Sequence, residues 1–149
     1  MASSCAHLRW NREWLSGTVV ASHDAEPEHR AHRSLWAGLA YLLTQPGRLR
    51  QGDEAVAGNH VVLAVASRGP FVLLAHLQRG LIAVRMGQRV QAGEVVAACG
   101  NSRNSTQPHD HLHAMDSLDW QHARGLPIAF RRPDGSGAHL PSEREIVQT

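Results

Sequence analysis

Short apolar runs separated by glycine-containing turns dominate the chain from about His60 onward. The runs His60 to Ala66 and Phe71 to Leu77 flank Ser67-Arg68-Gly69-Pro70, a turn sequence between two segments rich in β-forming residues. This arrangement predicts a β-hairpin. Further short strands are predicted at Leu81 to Val84, Arg89 to Val90 and Val95 to Cys99. Strands this short and this regularly spaced favour a sandwich or barrel over a parallel sheet with crossover helices.

The first part of the chain contains a strand pattern followed by a helical one. Gly17 to Ala21 is predicted as one more strand, whereas Leu35, Leu39 and Leu43 recur at i, i+4 and i+8. That spacing places one apolar stripe along a helix, which should pack on the sheet and end near Pro46. The patterns predict an irregular N-terminal segment over 1–16, one domain over 17–130 with a helical insertion over about 28–45, and a loose tail over 131–149.

The length and composition fit a single globular domain. The chain has 149 residues, of which 42% are hydrophobic and 19% are charged, a balance that excludes wholesale disorder. The longest apolar runs are far shorter than the roughly 20 residues of a membrane-spanning helix, so no membrane span is expected. The N-terminal residues lack the apolar core of a secretory signal peptide.

The charged residues and cysteines exclude several classes of function. Lysine and arginine together number 15 and all are arginine, and the absence of lysine excludes Schiff-base and P-loop chemistry. The formal net charge is only +2 and the arginines are scattered along the chain, so no nucleic-acid-binding surface is predicted. Cys5 and Cys99 are too few for a disulfide framework and too far apart for a CxxC motif.

Histidine is the residue type that stands out, with 11 copies. His109, His111 and His113 alternate, and in an extended strand their side chains would share one face. The Cα atoms of residues two apart are separated by roughly 6.6 Å, so two adjacent rings could meet one ion or one substrate atom. The outer rings are too far apart for that, which predicts one working pair and a neighbour. Chance alone gives about 0.8 His-x-His pairs at this histidine content, so the surrounding residues must supply the specificity.

The residues around these histidines form an ordered set of motifs. In chain order they are Ala75-His76-Leu77, Gly87-x-x-Val90-x-x-Gly93, Gly100-Asn101-Ser102, Asn104-Ser105-Thr106, and Pro108 directly before the first histidine. From about Gly58 to Phe130 the chain resembles the lysostaphin-like zinc metallopeptidases, which cleave peptidoglycan. The resemblance implies a mainly β fold, a small antiparallel sheet or barrel-like sandwich of the duplicated hybrid motif type, with the predicted helix as one insertion.

The resemblance also implies roles for three histidines. His111 matches the zinc ligand of the His-x-His motif, His109 matches its partner that acts on the substrate, and His76 matches the other catalytic histidine. The implied cofactor is zinc. The implied partner is a stem or cross-bridge peptide of peptidoglycan, which places the protein in the cell envelope or outside the cytoplasm. His111 and His113 also form a His-x-His pair, but the position of Pro108 selects His109 and His111.

The sequence departs from the family pattern at several positions. Asp110, His113 and Arg103 stand where an apolar residue, a glutamine or glutamate, and a glycine are usual. The family takes its first two zinc ligands from a His-x-x-x-Asp motif before the strand that Gly17 to Ala21 resembles, and no such motif occurs in this sequence. Two interpretations stay open: the sequence is truncated or misassigned in its N-terminal part, or the domain has lost activity.

Other residues are chemically capable of completing a metal site, namely His7, Glu13, His23, Asp24 and His29. We expect the segment Ser22 to Glu26 to form a solvated loop instead. We also expect His60, at the start of a predicted strand, to be packed or hydrogen-bonded.

Two further functions stay open at the level of sequence. The first is a non-catalytic module of the same fold that binds cell-wall peptides or regulates a hydrolase. The second is a histidine phosphocarrier, because the run from Ala75-His76 through Gly87-x-x-Val90-x-x-Gly93 also resembles sugar-transport domains in which a histidine carries a phosphoryl group.

Overall fold

The computed structural model of the protein describes residues 7–9, 16–28, 57–102, 109–131 and 135–140. Apart from Glu28, the predicted helix over about 28–45 lies outside these ranges, as does most of the predicted N-terminal segment. The division into segment, domain and tail therefore stays a prediction. Among the residues in the described ranges, no helix is long and apolar enough to cross a membrane.

The described residues form ten short strands. They are β1 (His7–Arg9), β2 (Gly17–His23), β3 (His60–Ala64), β4 (Phe71–Ala75), β5 (Arg89–Val90), β6 (Val95–Ala98), β7 (His111–Met115), β8 (Gly125–Leu126), β9 (Phe130–Arg131) and β10 (Ala138–His139). Six of them make one sheet in the order β5-β2-β3-β4-β7-β8, while β1 pairs with β6 and β9 with β10. Every pairing between these strands is antiparallel, which confirms the predicted antiparallel β fold.

The predicted hairpin is present at the centre of the sheet. Strands β3 and β4 pair with Val62 opposite Leu73, and β2 pairs with the other side of β3. The strand predicted at Gly17 to Ala21 is thus confirmed as part of β2. Both hairpin strands stop two residues earlier than the apolar runs do, at Ala64 and Ala75.

The strand predicted at Leu81 to Val84 is wrong. This segment runs alongside β6 and makes two backbone hydrogen bonds with it, from Ala83 N to Val96 O at 2.8 Å and from Ala98 N to Leu81 O at 3.3 Å. It does not form a regular strand. Its apolar character has another origin, because Val84 is buried in the core while the side chain of Leu81 is 46% exposed. The apolar residues at Leu81 to Val84 therefore reflect the partial burial of an irregular connection and not a strand.

Two apolar clusters cover the two faces of the sheet. The first consists of Val19, Val61, Leu63, Leu74, Leu77, Val84, Val90, Val96 and Ala97. The second consists of Ala57, Val62, Leu73, Ala75 and Met115, with Trp120 and Ala123 among the residues packed against it. Because successive residues of a strand point to opposite faces, β3 and β4 contribute to both clusters and therefore read as continuous apolar runs.

The register of the sheet brings the candidate histidines to one end of two neighbouring strands. Strand β4 ends at Ala75, which pairs with His111, the first residue of the antiparallel strand β7. His76 directly follows β4, and His109 precedes β7 and forms a β-bridge with Gly100. The end of one strand and the start of the next therefore carry the predicted site.

Candidate functional site

Four imidazole rings follow one another at this end of the sheet, each within contact distance of the next. The ring centroid of His76 is 4.9 Å from that of His109 and 6.1 Å from that of His111, and the rings of His111 and His113 are also 6.1 Å apart. The structure thus brings together the three residues predicted from the sequence. His113, which the alternation predicted as a neighbour of the working pair, lies beside His111.

The alternation of β7 accounts for the placement of two of these rings. His111 and His113 pair with Ala75 and Leu73, which belong to the second apolar cluster. Leu112 lies between them and packs against the first cluster, on the opposite face. The predicted common face is therefore confirmed for His111 and His113. His109 lies before the strand and reaches the group from the bridge with Gly100.

His76 occupies a backbone conformation that side-chain-bearing residues seldom adopt, with φ of 61°. Such a conformation costs free energy and persists only when the surrounding structure enforces it. Here the backbone N–H of His76 donates to Ala57 O at 3.0 Å, and its carbonyl accepts from Gly100 N at 3.0 Å. A side chain on Gly100 would place a Cβ only 2.5 Å from Gln78 N, so glycine permits this close approach.

His76 is buried, with a relative exposure of 7% for the whole residue. Burial lowers the pKa of His76 to about 4, with further lowering by repulsion from charges on His109 and His111. The hydrogen bond to the Ser102 carbonyl opposes this shift and raises the pKa. Its Nδ1 atom lies 3.1 Å from the carbonyl oxygen of Ser102. A carbonyl oxygen only accepts, so Nδ1 carries the proton and the neutral ring keeps its lone pair on Nε2.

His111 is also held in its neutral form near pH 7. Burial lowers its pKa, and repulsion from charges on His113 and His109 lowers it further. A neutral imidazole can accept a proton or bind a metal ion, whereas a protonated ring can do neither. The site is therefore equipped with proton acceptors at neutral pH.

Asp110, which lies between the two histidines of the predicted motif, is an unusual neighbour for them. Burial raises the pKa of its carboxyl group to about 6, against a smaller opposing effect of His109. Its Oδ1 atom is shielded from solvent and has no hydrogen-bond partner among the described residues. A buried carboxylate oxygen without a partner is destabilising.

A pocket of about 390 Å³ opens beside the histidines. Its lining combines three imidazoles with mainly small or apolar residues: Ala57, Leu73, Ala75, His76, His111, His113, Met115, Trp120, Ala123 and Gly125. The ring of Trp120 stands edge-on to His60 at a centroid distance of 5.5 Å. The pocket therefore offers an apolar recess whose wall carries His76 and His111.

The other candidate metal-binding residues make different contacts. The ring of His23 stacks on His60 at 5.7 Å, and its Nε2 lies 3.6 Å from the carboxylate of Glu26. Asp24 accepts a hydrogen bond from Gly80 N at 2.8 Å. His60 is buried and its Nδ1 donates to Gly58 O at 2.7 Å, which confirms that it is a packed, hydrogen-bonded residue. Glu13 and His29 lie outside the described residues, as does the side chain of His7.

The described residues do not by themselves form a zinc centre. Among them, no group of three or more His, Cys, Asp or Glu side chains could hold a metal ion. A catalytic zinc ion takes three protein ligands and leaves one position open. His111 is available as a single ligand, and a complete centre needs donors from beyond the described ranges.

Sequence reasoning missed two residues that support the site. Asn59 and Ser102 are both 0% exposed and are linked by a hydrogen bond from Asn59 N to Ser102 Oγ at 3.0 Å. Both occur in short polar motifs that were visible in the sequence, next to Gly58 and Gly100-Asn101. Their partners lie far away along the chain, however, so spacing alone does not reveal the contact.

Comparison with known proteins gives one family and several distant structures. The sequence profile of Peptidase family M23 matches residues 44–122. A variant of the catalytic domain of the prophage-encoded M23 protein EnpA from Enterococcus faecalis is 19% identical, with a TM-score of 0.47, over 76% of this chain and 62% of that one. The catalytic domain of lysostaphin from Staphylococcus simulans is 18% identical over 78% of this chain and 68% of that one, and LytU is 19% identical over 85% and 69%, both with a TM-score of 0.47.

No curated protein gives a significant match. The family profile, in contrast, spans the predicted hairpin, His76 and the whole histidine motif. Because this match covers more than half of the sequence, the chain belongs to Peptidase family M23.

Proposed function

We propose that this chain is a peptidase domain that hydrolyses a peptide bond in the stem or cross-bridge of peptidoglycan. Its membership of Peptidase family M23 supports a peptidase-like domain acting on peptidoglycan. The observation that carries the proposal is the convergence of His76, His109 and His111 beside an open pocket. Separate structural roles for these histidines would not require their rings to meet.

The chemistry of the two proposed catalytic histidines follows from their protonation. His76 is neutral at pH 7 because its pKa is about 4, and its Nε2 can accept a proton from an attacking water molecule. His109, whose ring lies 4.9 Å away, would orient the same water or donate to the developing oxyanion. Imidazole suits both roles because its ordinary pKa lies near neutral pH.

The pocket gives the substrate a place beside this pair. Most of its lining is apolar or small, and Trp120 and Met115 form part of the wall. A side chain of the peptide next to the cleaved bond would enter this recess and lose apolar surface to solvent. Such binding fixes the position of the carbonyl group relative to His76.

Zinc is part of the proposal as the resident metal, with His111 as one ligand. The lowered pKa of His111 favours the deprotonated ring that metal binding requires. Bound zinc supplies Lewis acidity and a water molecule that ionises near neutral pH. The remaining ligands would come from residues outside the described ranges.

A non-catalytic module that binds cell-wall peptides is the second candidate. The observation in its favour is the lack of a three-donor metal group among the described residues. The phosphocarrier alternative is not retained, because the profile of a peptidase family covers the motifs on which it rested.

Metal content and turnover, measured together, test the proposal. The purified chain should hold close to one zinc ion and release new amino groups from peptidoglycan. His111→Ala should lose both zinc and turnover, whereas His76→Ala should keep zinc and lose turnover. His122→Gln, at an exposed histidine paired with Asp119, should match the unaltered chain in both measurements.

The results also separate the two candidates. Equal zinc retention in His111→Ala and His76→Ala would refute the division of roles. A chain that binds peptidoglycan without zinc and without releasing amino groups would be the non-catalytic module.

A further inference from the structure

The ring of His76 is oriented by a backbone carbonyl group. Its Nδ1–H donates to Ser102 O at 3.1 Å, so the neutral ring has its lone pair on Nε2. Free histidine in water favours the opposite tautomer, with the proton on Nε2. The position of one carbonyl oxygen therefore decides which ring atom is basic.

Ser102 is itself fixed by residues that are distant in the sequence. Its hydroxyl oxygen accepts a hydrogen bond from Asn59 N at 3.0 Å, and its backbone forms a β-bridge with Glu28. Ser102 and Asn59 are both 0% exposed. Moving the Ser102 hydroxyl would leave a buried amide without a partner, which is costly.

Asn59 also holds the backbone of Leu77, the residue that follows His76. Its side-chain Nδ2 donates to Leu77 O at 3.2 Å, and its backbone carbonyl accepts from Leu77 N at 2.9 Å. The same side chain exchanges hydrogen bonds with the backbone of Glu26, from Glu26 N to Oδ1 at 2.8 Å and from Nδ2 to Glu26 O at 2.9 Å. One buried residue thus links the backbone next to His76 with the carbonyl group that orients its ring.

We propose that Asn59 and Ser102 are positioning residues, which lock His76 in the tautomer protonated at Nδ1 and so leave Nε2 as the basic atom of the site. Neither residue is among those that line the pocket, so they act through His76. The inference rests on the proposed function only for its kinetic consequence, since the tautomer is a property of the folded chain.

Nuclear magnetic resonance of the full chain labelled in its histidine nitrogens tests the inference. Long-range hydrogen–nitrogen correlations near neutral pH should show His76 protonated at Nδ1. In Ser102→Ala the ratio of the Nδ1–H to the Nε2–H form should fall roughly fivefold, the change expected for loss of one ordinary net hydrogen bond. Ser102→Thr keeps the hydroxyl group and should restore the ratio.

The spectrum contains its own control for folding. His60 donates from Nδ1 to Gly58 O at 2.7 Å, a contact that does not involve Ser102, so its tautomer should be the same in every variant. Asn59→Ala should shift the His76 ratio in the same direction as Ser102→Ala. In kinetics, Ser102→Ala should lower kcat and leave KM unchanged, because Ser102 does not line the pocket.

Two results would overturn the inference: an unaltered chain with His76 protonated at Nε2, or an unchanged His76 ratio in folded Ser102→Ala. The first measurement needs no variant, so it stands even if a variant fails to fold. Failure of the proposed peptidase function can be distinguished from failure of the positioning role. A chain that shows the expected tautomers but no hydrolysis would contradict the peptidase and support the positioning role.

Discussion

Replacing Asp110 by asparagine should stabilise the protein at neutral pH and should not do so in acid. The pKa of Asp110 is raised from 3.8 to about 6, mainly by burial. The folded state therefore binds this proton more tightly than the unfolded state does. The stabilising effect of protonation is complete below the unfolded pKa and is lost as the pH rises through the folded pKa.

The size of the effect follows from the shift. A rise from 3.8 to about 6 corresponds to about 3 kcal/mol of unfolding free energy, at roughly 1.4 kcal/mol for each unit. Asparagine has nearly the same shape and does not ionise. The advantage of Asp110→Asn over the unaltered chain should therefore grow by up to about 3 kcal/mol between about pH 3.5 and about pH 7.5.

Urea unfolding at these two pH values, followed through the fluorescence of the four tryptophans, measures the change. Contributions of other groups, including His76, cancel in the difference between the two proteins. Asp119→Asn is the matched control. The carboxyl group of Asp119 is exposed and its pKa is lowered by a hydrogen bond with His122. The stability of Asp119→Asn relative to the unaltered chain should therefore decrease as the pH rises, opposite to the change for Asp110→Asn. A stability difference for Asp110→Asn that stays constant with pH would show that folding does not raise the pKa of Asp110.

Three other predictions follow from the site. His76→Val should be less stable than His76→Asn by about 1–2 kcal/mol in urea unfolding, because a β-branched residue tolerates positive φ poorly. Gly100→Ala should lower the melting temperature clearly, since its Cβ would lie 2.5 Å from Gln78 N, whereas Gly125→Ala, with a nearest contact of 3.6 Å, should not. As the pH falls from 6.5 toward 4, the unaltered chain should lose about 3 kcal/mol of stability relative to His76→Asn, because the pKa of His76 is lowered to about 4 and the unfolded state takes up the proton first. Urea titrations of both proteins across the range would show this loss, and the opposing contribution of Asp110 cancels in the difference.

The sequence predicted the centre of the fold because the signals there are local. The turn at Ser67 to Pro70 lies between two apolar runs, and these became the paired strands β3 and β4. The order of the family motifs along the chain predicted the convergence of His76, His109 and His111, whereas alternation within β7 accounts only for the common face of His111 and His113. The prediction of a strand at Leu81 to Val84 was wrong because a short apolar segment can be buried without pairing as a strand, and the sequence does not show the pairing.

The support of His76 was not predictable from the sequence. The contact between Asn59 and Ser102 joins residues 43 positions apart, and no periodic pattern connects them. The positive φ at position 76 is not signalled by the residue type, because the residue is a histidine and not a glycine or asparagine. That conformation arises from backbone hydrogen bonds to Ala57 and Gly100, which form only when three segments have already packed together.

Mass spectrometry of peptidoglycan incubated with the purified chain in heavy-oxygen water tests the proposed hydrolysis most directly. New peptide termini should appear at one type of bond, with heavy oxygen in the newly formed carboxyl group. The label should be absent in His109→Gln and present in His122→Gln. Unlabelled, intact peptides after incubation with a folded, zinc-loaded chain would show that the domain does not hydrolyse peptidoglycan.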